Sequence, residues 1–458
     1  MALLRSESYK SGVIFSSVFN VLGKLMAFVQ QWMIVYYFGS SLSTDLFFFT
    51  YNIVLYVGFF FQNFTTSVLV PEGVKIRVAE GDGRSQQFLN SYMFLFGWVS
   101  LGVLLVGMSN VHGIFYHLSS YSTEVVDANI AMICWCLPIL LLNVVVSVMT
   151  EILVSYKYFT MPYMVSLVNY ILGVLFVIFF HDRWGLDSVA IGLIVGYVAN
   201  IFIVGIFMKR ELHWSFFTRY EFRFRSILRS GLFSQLGQVV YLVSLYVPQM
   251  IFTSFPEGTL TAVNFADKIL FIPAIFLVAQ ITSVMSVKVY NLVAIGDKVE
   301  LSRLIERIMV LVTLGLLLCA VFISFLSEWM IDLIFYFGNY DASSKEITSH
   351  VLSLVIFYLP FSFMFSFYTK VFNAFKKQDL LFYLQLGSWG LMIVMYLMVI
   401  PEFGLYSYPL CRIAPAMLVG ILCPIVLHRF FPELHSSRLI FYTVVAVIMT
   451  AICFLIVY

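Results

Sequence analysis

Three cations stand where apolar sequence rarely tolerates them: Lys24, Lys268 and Arg412 lie inside long hydrophobic runs. A lysine or arginine at bilayer centre costs ~2.5–3.5 kcal/mol on insertion scales, so such groups face a cavity, a partner or a ligand. Lys24 sits in FNVLGKLMAFVQQWMIVYYF, Phe19 to Phe38, about a dozen residues from either end of its run. At ~1.5 Å per residue that is ~18 Å, beyond the reach of a lysine side chain. Asn20 lies four residues before it and Gln31 seven after, which makes a polar stripe along one helical face. Lys268 follows Asp267. Consecutive helical residues point ~100° apart, so Asp267 can meet another helix and leave Lys268 to a cavity. Structural readings stand beside these: Lys24 paired to a carbonyl or carboxylate of its neighbours, Lys268 in an ion pair, Arg412 at the outer interface or paired. Asp45, in Ser43-Thr44-Asp45, suits the cap of the helix that follows. Asn52, Gln62, Asn63, Asn143, Asn169, Gln235, Gln238, Gln280 and Gln385 add buried polar surface of the kind that bridges helices. The deep charges are more basic than acidic, and that suits an anionic ligand better than an organic cation.

The sequence contains no Walker A loop, HExxH, GxSxG or cysteine-histidine cluster of zinc spacing, so it reads as a non-enzyme with no metal site, cofactor or nucleic-acid partner. The histidines (His112, His117, His181, His213, His350, His428, His435) fall near membrane faces. The six cysteines fall inside apolar runs and read as small core residues.

The elements that position these groups are membrane spans. Of 458 residues, 61% are hydrophobic and only 11% charged, against roughly 25% charged in soluble domains. Apolar runs predict an all-α polytopic protein with about thirteen spans, near 10–38, 43–70, 87–109, 125–150, 160–181, 186–209, 230–255, 259–288, 304–327, 347–372, 379–400, 405–428 and 439–457. No cleavable leader pattern precedes the first span, which is expected to stay in the mature chain. Alternate loops carry 21 lysines and arginines on one side and 2, Arg183 and Lys345, on the other; Lys24, Lys268 and Arg412 complete the set. Cations favour the cytoplasmic side, so the N-terminus is expected there.

The longest connection on that side is ELHWSFFTRYEFRFRSILRSG, Glu211 to Gly231, where basic and aromatic residues alternate. It predicts an amphipathic helix in the headgroup layer, with a solvated cytoplasmic loop as the alternative. Six spans precede it. SGVIFS…FVQQWMI from Ser11 parallels SGLFSQ…YVPQMIF from Ser230, and TDLFFF…QNFTTSVLVP from Thr44 parallels ADKILF…QITSVMSV from Ala266. These landmarks predict two six-helix lobes related by an internal repeat, with the site between lobes: 1–210 as the first lobe, 211–230 as the linker, 231–430 as the second, and 431–458 as one further C-terminal span.

FGSSLSTDLFFFTYNI and LVPEGVKIRVAEGD resemble the start of the MurJ-like lipid II flippases, in the multidrug/oligosaccharidyl-lipid/polysaccharide exporter superfamily. NFADKILFIP resembles that family's alanine-aspartate-arginine stretch in the eighth helix. IFYFGNYDASS resembles its loop after the ninth, and KVFNAFKKQD the close of its tenth. The resemblance implies two lobes around a cationic cavity, alternating access, and export of undecaprenyl-diphosphate-linked sugars. It places Lys24 on a cavity arginine of the first helix, Asp45 on a threonine-aspartate, and Lys268 on the cavity arginine of the eighth. The chain departs from the family at Gln30 and Gln31, where an arginine-aspartate pair is usual, at Phe271, where a glutamate is usual, and in having one helix rather than two after the twelfth.

The expected function is therefore a flippase moving a polyprenyl-diphosphate-linked cell-wall or surface-polysaccharide precursor from the cytoplasmic to the outer leaflet of a bacterial inner membrane. Lys24 and Lys268 are the expected diphosphate ligands. Asn20, Gln31, Asp45, Asp267 and Arg412 are candidates for lining or coupling, with Na+ or H+ as a candidate coupling cation. Three alternatives compete: a lipid II flippase proper, a cation-coupled multidrug exporter, and a scaffold for glycan-assembly proteins. The bilayer and the lipid-linked glycan are the expected partners.

Overall fold

The computed structural model describes the backbone of residues 9–431 and 436–457; Arg5 and His435 lie outside them. Hydrocarbon offers the backbone no hydrogen bonds, so a spanning segment must satisfy its own, and a helix does so within one strand of chain. The described residues form helices and no strands. In order these are α1 (Tyr9–Phe38), α2 (Leu42–Phe64), α3 (Val70–Glu80), α4 (Asp82–Ser109), α5 (Val111–Leu118), α6 (Thr123–Ala128), α7 (Ile130–Cys136), α8 (Pro138–Ser155), α9 (Met161–Trp184) and α10 (Asp187–Glu211). There follow α11 (Phe224–Phe252), α12 (Thr259–Pro273), α13 (Gln280–Ile295), α14 (Lys298–Ile334), α15 (Ala342–Val355), α16 (Leu359–Ala374), α17 (Gln378–Phe403), α18 (Tyr408–Phe430) and α19 (Ser436–Val457).

Among the described residues, 12 helical stretches are long and apolar enough to cross a membrane. They match twelve of the expected spans; the remaining one, 230–255, falls mostly on the 29-residue α11, which ends at Phe252. Boundaries differ where local chemistry intervenes. The fourth span begins at Ile130, not 125, because Ser122 caps the separate short helix α6. The second runs through to Glu80, its α2 and α3 joined by a π-helical turn at Thr65–Leu69 just ahead of Pro71. The eighth carries a similar turn at Ala274–Ala279, straight after Pro273. Wide turns of this kind occur mostly as single insertions at functional positions.

The chain divides into two compact units. The first comprises Met1–Leu242 with the short segments Pro256–Gly258 and Gly338–Tyr340. Within it, α1, α9 and α10 pack through glycine notches: a Cβ on Gly173 would lie 2.1 Å from Gln30 Nε2, and one on Gly196 would lie 1.9 Å from Asn169 Oδ1. Small residues let membrane helices approach closely, and amide side chains fill the space left. Two bridges anticipated between helices are present, Gln62 Nε2 to Glu151 Oε1 at 3.3 Å and Gln235 Nε2 to Asn63 Oδ1 at 3.2 Å. The second unit comprises Val243–Phe255, Thr259–Phe337 and Asp341–Tyr458. Its core is aromatic, with Phe265, Phe335, Phe357, Phe361, Phe363 and Phe367 all buried.

The connection after α10 corrects the expectation of a helix in the headgroup layer: residues 213–223 are irregular, and helix resumes only at Phe224. Side chains of α4 take over the hydrogen bonds a helix would have made. Asn90 donates to Ser215 O at 2.6 Å and to Thr218 Oγ1 at 3.1 Å, and accepts from Trp214 Nε1 at 2.8 Å. Ser91 Oγ accepts from Glu221 N at 2.7 Å. The aromatics alternate with period two, the period of extended chain, so Tyr220 and Phe222 stack on one side, 6.1 Å apart. Arg223 then donates to Glu80 at 2.8 Å and Glu221 at 2.6 Å, which hold its guanidinium above its ordinary pKa range. Asn90→Ala removes three bonds at once. It is expected to lower stability by ~1–3 kcal/mol and to speed tryptic cleavage at the exposed Arg219, read by mass spectrometry.

Candidate substrate-binding residues

Lys24 stands near the middle of the 30-residue α1, with its side chain exposed. Asn20 and Gln31 are half-buried, whereas Gln30 is buried against α9 at Gly173. Of the two glutamines, Gln30 thus fixes α1 to its neighbours, six residues beyond Lys24, and Gln31 remains nearer the face that carries the lysine. An exposed ammonium halfway along an apolar span is tolerated when it meets water, protein or ligand rather than lipid.

Asp45 does not cap α2. Ser41 does, its Oγ accepting from Thr44 N at 3.3 Å. Asp45 is 3% exposed, and its Oδ2 accepts from Gly258 N at 2.8 Å, across 213 residues of sequence. The capping position moved because Ser41 precedes the first turn in extended geometry, which a cap requires. Asp45→Ala would leave that N–H without its acceptor and is expected to cost ~1–3 kcal/mol, measurable as a lower melting temperature in detergent.

In the second unit, Asp267 turns to α18. Arg412 Nη1 donates to its Oδ1, Tyr408 OH donates to its Oδ2 at 2.7 Å, and Arg412 Nη1 also reaches Tyr408 OH at 3.1 Å. The guanidinium lies 4.7 Å from the Tyr358 ring centroid and 5.8 Å from that of Phe271. Phe271 therefore offers this cation an aromatic face. Arg412 thus forms the structural pair, with Asp267. Lys268 points elsewhere, its Nζ 5.5 Å from the Phe265 ring centroid. Asp267, Lys268 and Arg412 belong to the second unit; Asn20, Lys24, Gln31 and Asp45 belong to the first. Tyr408 and Tyr358 escaped the sequence reading, although Tyr408 stands one turn before Arg412, on the same helical face. Glu151, hydrogen-bonded to Gln62, also escaped it. Among the described residues no cluster of three histidine, cysteine or acidic side chains could hold a metal ion.

The family described as Lipid II flippase MurJ matches residues 34–458. The chain belongs to the MurJ lipid II flippase family. It is 22% identical over 439 residues to the probable lipid II flippase MurJ of Borreliella burgdorferi, covering 93% of this chain and 83% of the relative. It is 23% identical over 430 residues to the probable lipid II flippase MurJ of Aquifex aeolicus, covering 88% and 80%. The fold matches the structure of the lipid II flippase MurJ in an inward closed conformation, with a TM-score of 0.78, 16% identity and coverage of 97% and 98%. An inward-facing multidrug MATE transporter of the MOP superfamily matches with a TM-score of 0.72, 13% identity and coverage of 91% and 95%. The protein is thus a multi-pass inner-membrane flippase of lipid-linked precursors, not an enzyme, with the MOP fold. The lipid II alternative is matched better than the expected general carrier of cell-wall or surface-polysaccharide precursors. The likeness runs across almost the whole chain, with the family matched over residues 34–458.

Proposed function

We propose that the protein moves lipid II from the cytoplasmic to the outer leaflet by alternating access, with its N-terminus in the cytoplasm. The observation that carries the reading is Lys24, an exposed cation at the middle of an apolar α1 in a chain of this family. Lys24 and Lys268 are the proposed diphosphate ligands, with Asn20 and Gln31 as polar lining. The lysine and arginine asymmetry of the loops supports the orientation. Both oxygens of Asp267 are already engaged, so a cation gradient is a weaker candidate for drive than the membrane potential. A negative-inside potential favours outward movement of an anion by ~2.3 kcal/mol per charge per 100 mV.

The test is transfer of fluorescent lipid II in proteoliposomes, beside a surface-polysaccharide precursor on the same lipid and a fluorescent organic cation. Lipid II moved fastest, and faster with the interior negative on the loading side, supports the proposal. Preferential transfer of the other glycan, or of the organic cation, overturns it.

A further inference from the structure

Glu151 is an acid inside the span Ile130–Ser155, four residues before its end, or ~6 Å along the helix. It is half-buried, and its Oε1 accepts from Gln62 Nε2 of α2 at 3.3 Å. The groups that face it are uncharged: Gln62 and Thr66 from α2 and the π-helical turn that follows, and Tyr163 from α9. Charged residues near this end of α8 are engaged elsewhere. Arg77 of α3 donates to Ser155 O at 3.0 Å and lies 4.1 Å from the Tyr156 ring centroid, while Asp82 of α4 accepts from Tyr156 OH at 3.3 Å. Glu211 of α10 lies toward Tyr158. Among the described residues, no lysine or arginine pairs with Glu151, whereas Asp267 has Arg412 and Asp45 has a backbone N–H.

An ionised carboxylate without a cation is costly in a membrane span, and a metal ion or a proton can cancel its charge. A hard metal cation takes about six oxygen ligands. Here Gln62 presents its N–H, and the Thr66 hydroxyl donates to Gln62 O at 2.9 Å, so the carboxylate alone supplies oxygens. A proton needs no more. Gln62 also ties the acid to the backbone, because it stands three residues before the wide turn Thr65–Leu69. Three successive hydroxyls bond back onto the carbonyls there: Thr65 to Phe61 O at 2.8 Å, Thr66 to Gln62 O at 2.9 Å and Ser67 to Asn63 O at 2.7 Å. Back-bonding of this kind bends helices. A hydrogen bond to an ionised carboxylate is about twice as strong as one between neutral groups. The charge on Glu151 therefore sets how firmly α8 holds α2 at the point where it turns.

We propose that Glu151 is a proton-binding site that controls the wide turn between α2 and α3. Ionised, it holds Gln62 and fixes the turn; protonated, it slackens that hold, and α2 bends more readily during the transport cycle. The proton comes from water at the end of the span and goes onto Oε2, the oxygen that Gln62 leaves open. It sets the rate of bending, while the membrane potential remains the drive. The inference rests on the reading of the chain as a carrier, and not on which precursor is carried.

The test is hydrogen–deuterium exchange of the backbone amides from Gln62 to Val70 in the purified full-length protein, without substrate, from mildly acidic to mildly alkaline pH. After correction for intrinsic exchange, the wild type should exchange about three- to tenfold faster on the acidic side. Glu151→Gln, uncharged at every pH, should show the fast rate throughout and no pH step. It is expected to fold, since it removes a charge from a span. Gln62→Met removes the donor, should behave alike, adds nothing when combined with Glu151→Gln, and serves if that variant fails to fold. Precursor transfer in proteoliposomes should carry the same pH step in the wild type and lose it in both variants. An equal pH step in wild type and Glu151→Gln overturns the inference, and so does a turn whose exchange responds to neither variant. Exchange that steps as expected while no precursor moves at any pH upholds the proton site and sinks the carrier reading instead.

Discussion

Lys24→Ala is expected to remove lipid-precursor transfer almost entirely while the protein still folds and inserts. The two halves of that expectation have separate causes. Lys24 is exposed, and its helix is held through Gln30 at Gly173, not through the ammonium, so its loss leaves the packing of α1 intact and relieves the cost of a charge in an apolar span. What disappears is a charge-assisted contact to a diphosphate, worth ~1.5–3 kcal/mol, which is a ~10- to 100-fold loss in affinity. If the contact tightens as the carrier reorients, the loss appears in rate as well. The measurement is initial transfer rate in proteoliposomes at matched protein incorporation. Lys24→Arg should keep most of the activity, since charge persists and the fork suits phosphate. A Lys24→Ala protein with wild-type transfer would remove α1 from the substrate path.

Asp267→Ala is expected to have the largest effect on stability. It strands Arg412, a guanidinium 11% exposed whose acid partner is itself 20% exposed. Breaking a buried ion pair from one side typically costs ~3–5 kcal/mol, because the remaining charge has no compensation. The Tyr408 hydroxyl loses its acceptor in the same step. Thermal unfolding in detergent should show the second unit melting well below the wild type. Asp267→Asn, which keeps an acceptor oxygen, should cost less. Removing both partners as Asp267→Leu with Arg412→Leu should recover much of the loss, as apolar replacements of buried pairs commonly do.

The spans were legible in the sequence because a bilayer asks one question of each segment, whether ~20 residues are apolar, and the sequence answers it locally. What was not legible depended on contacts between distant residues. The connection after α10 shows basic-aromatic alternation that fits both an amphipathic helix and an extended strap. The choice was made by Asn90, more than a hundred residues earlier, whose amide supplies the hydrogen bonds of the strap. Asp45 looked like a cap because serine, threonine and aspartate at a helix start usually cap, but its partner is Gly258. The separation of Asp267 from Lys268 was foreseeable from the ~100° step between consecutive residues, whereas the identity of the partner helix was not. Charge sign and depth could be read from sequence; pairing could not.

The boundary between the two compact units falls inside a continuous helix, between Leu242 and Val243 of α11. Gln235 reaches Asn63 on the earlier side of that boundary, and Gln249 reaches Asn264 on the later side. A helix of this kind has a phase as well as a length. Inserting or deleting one residue between Gln235 and Gln249 turns one part of the helix relative to the other by ~100° and shifts it by ~1.5 Å. A length change of one residue, silent in most loops, is thus a change of phase along this stretch, and α11 should tolerate substitution better than insertion or deletion.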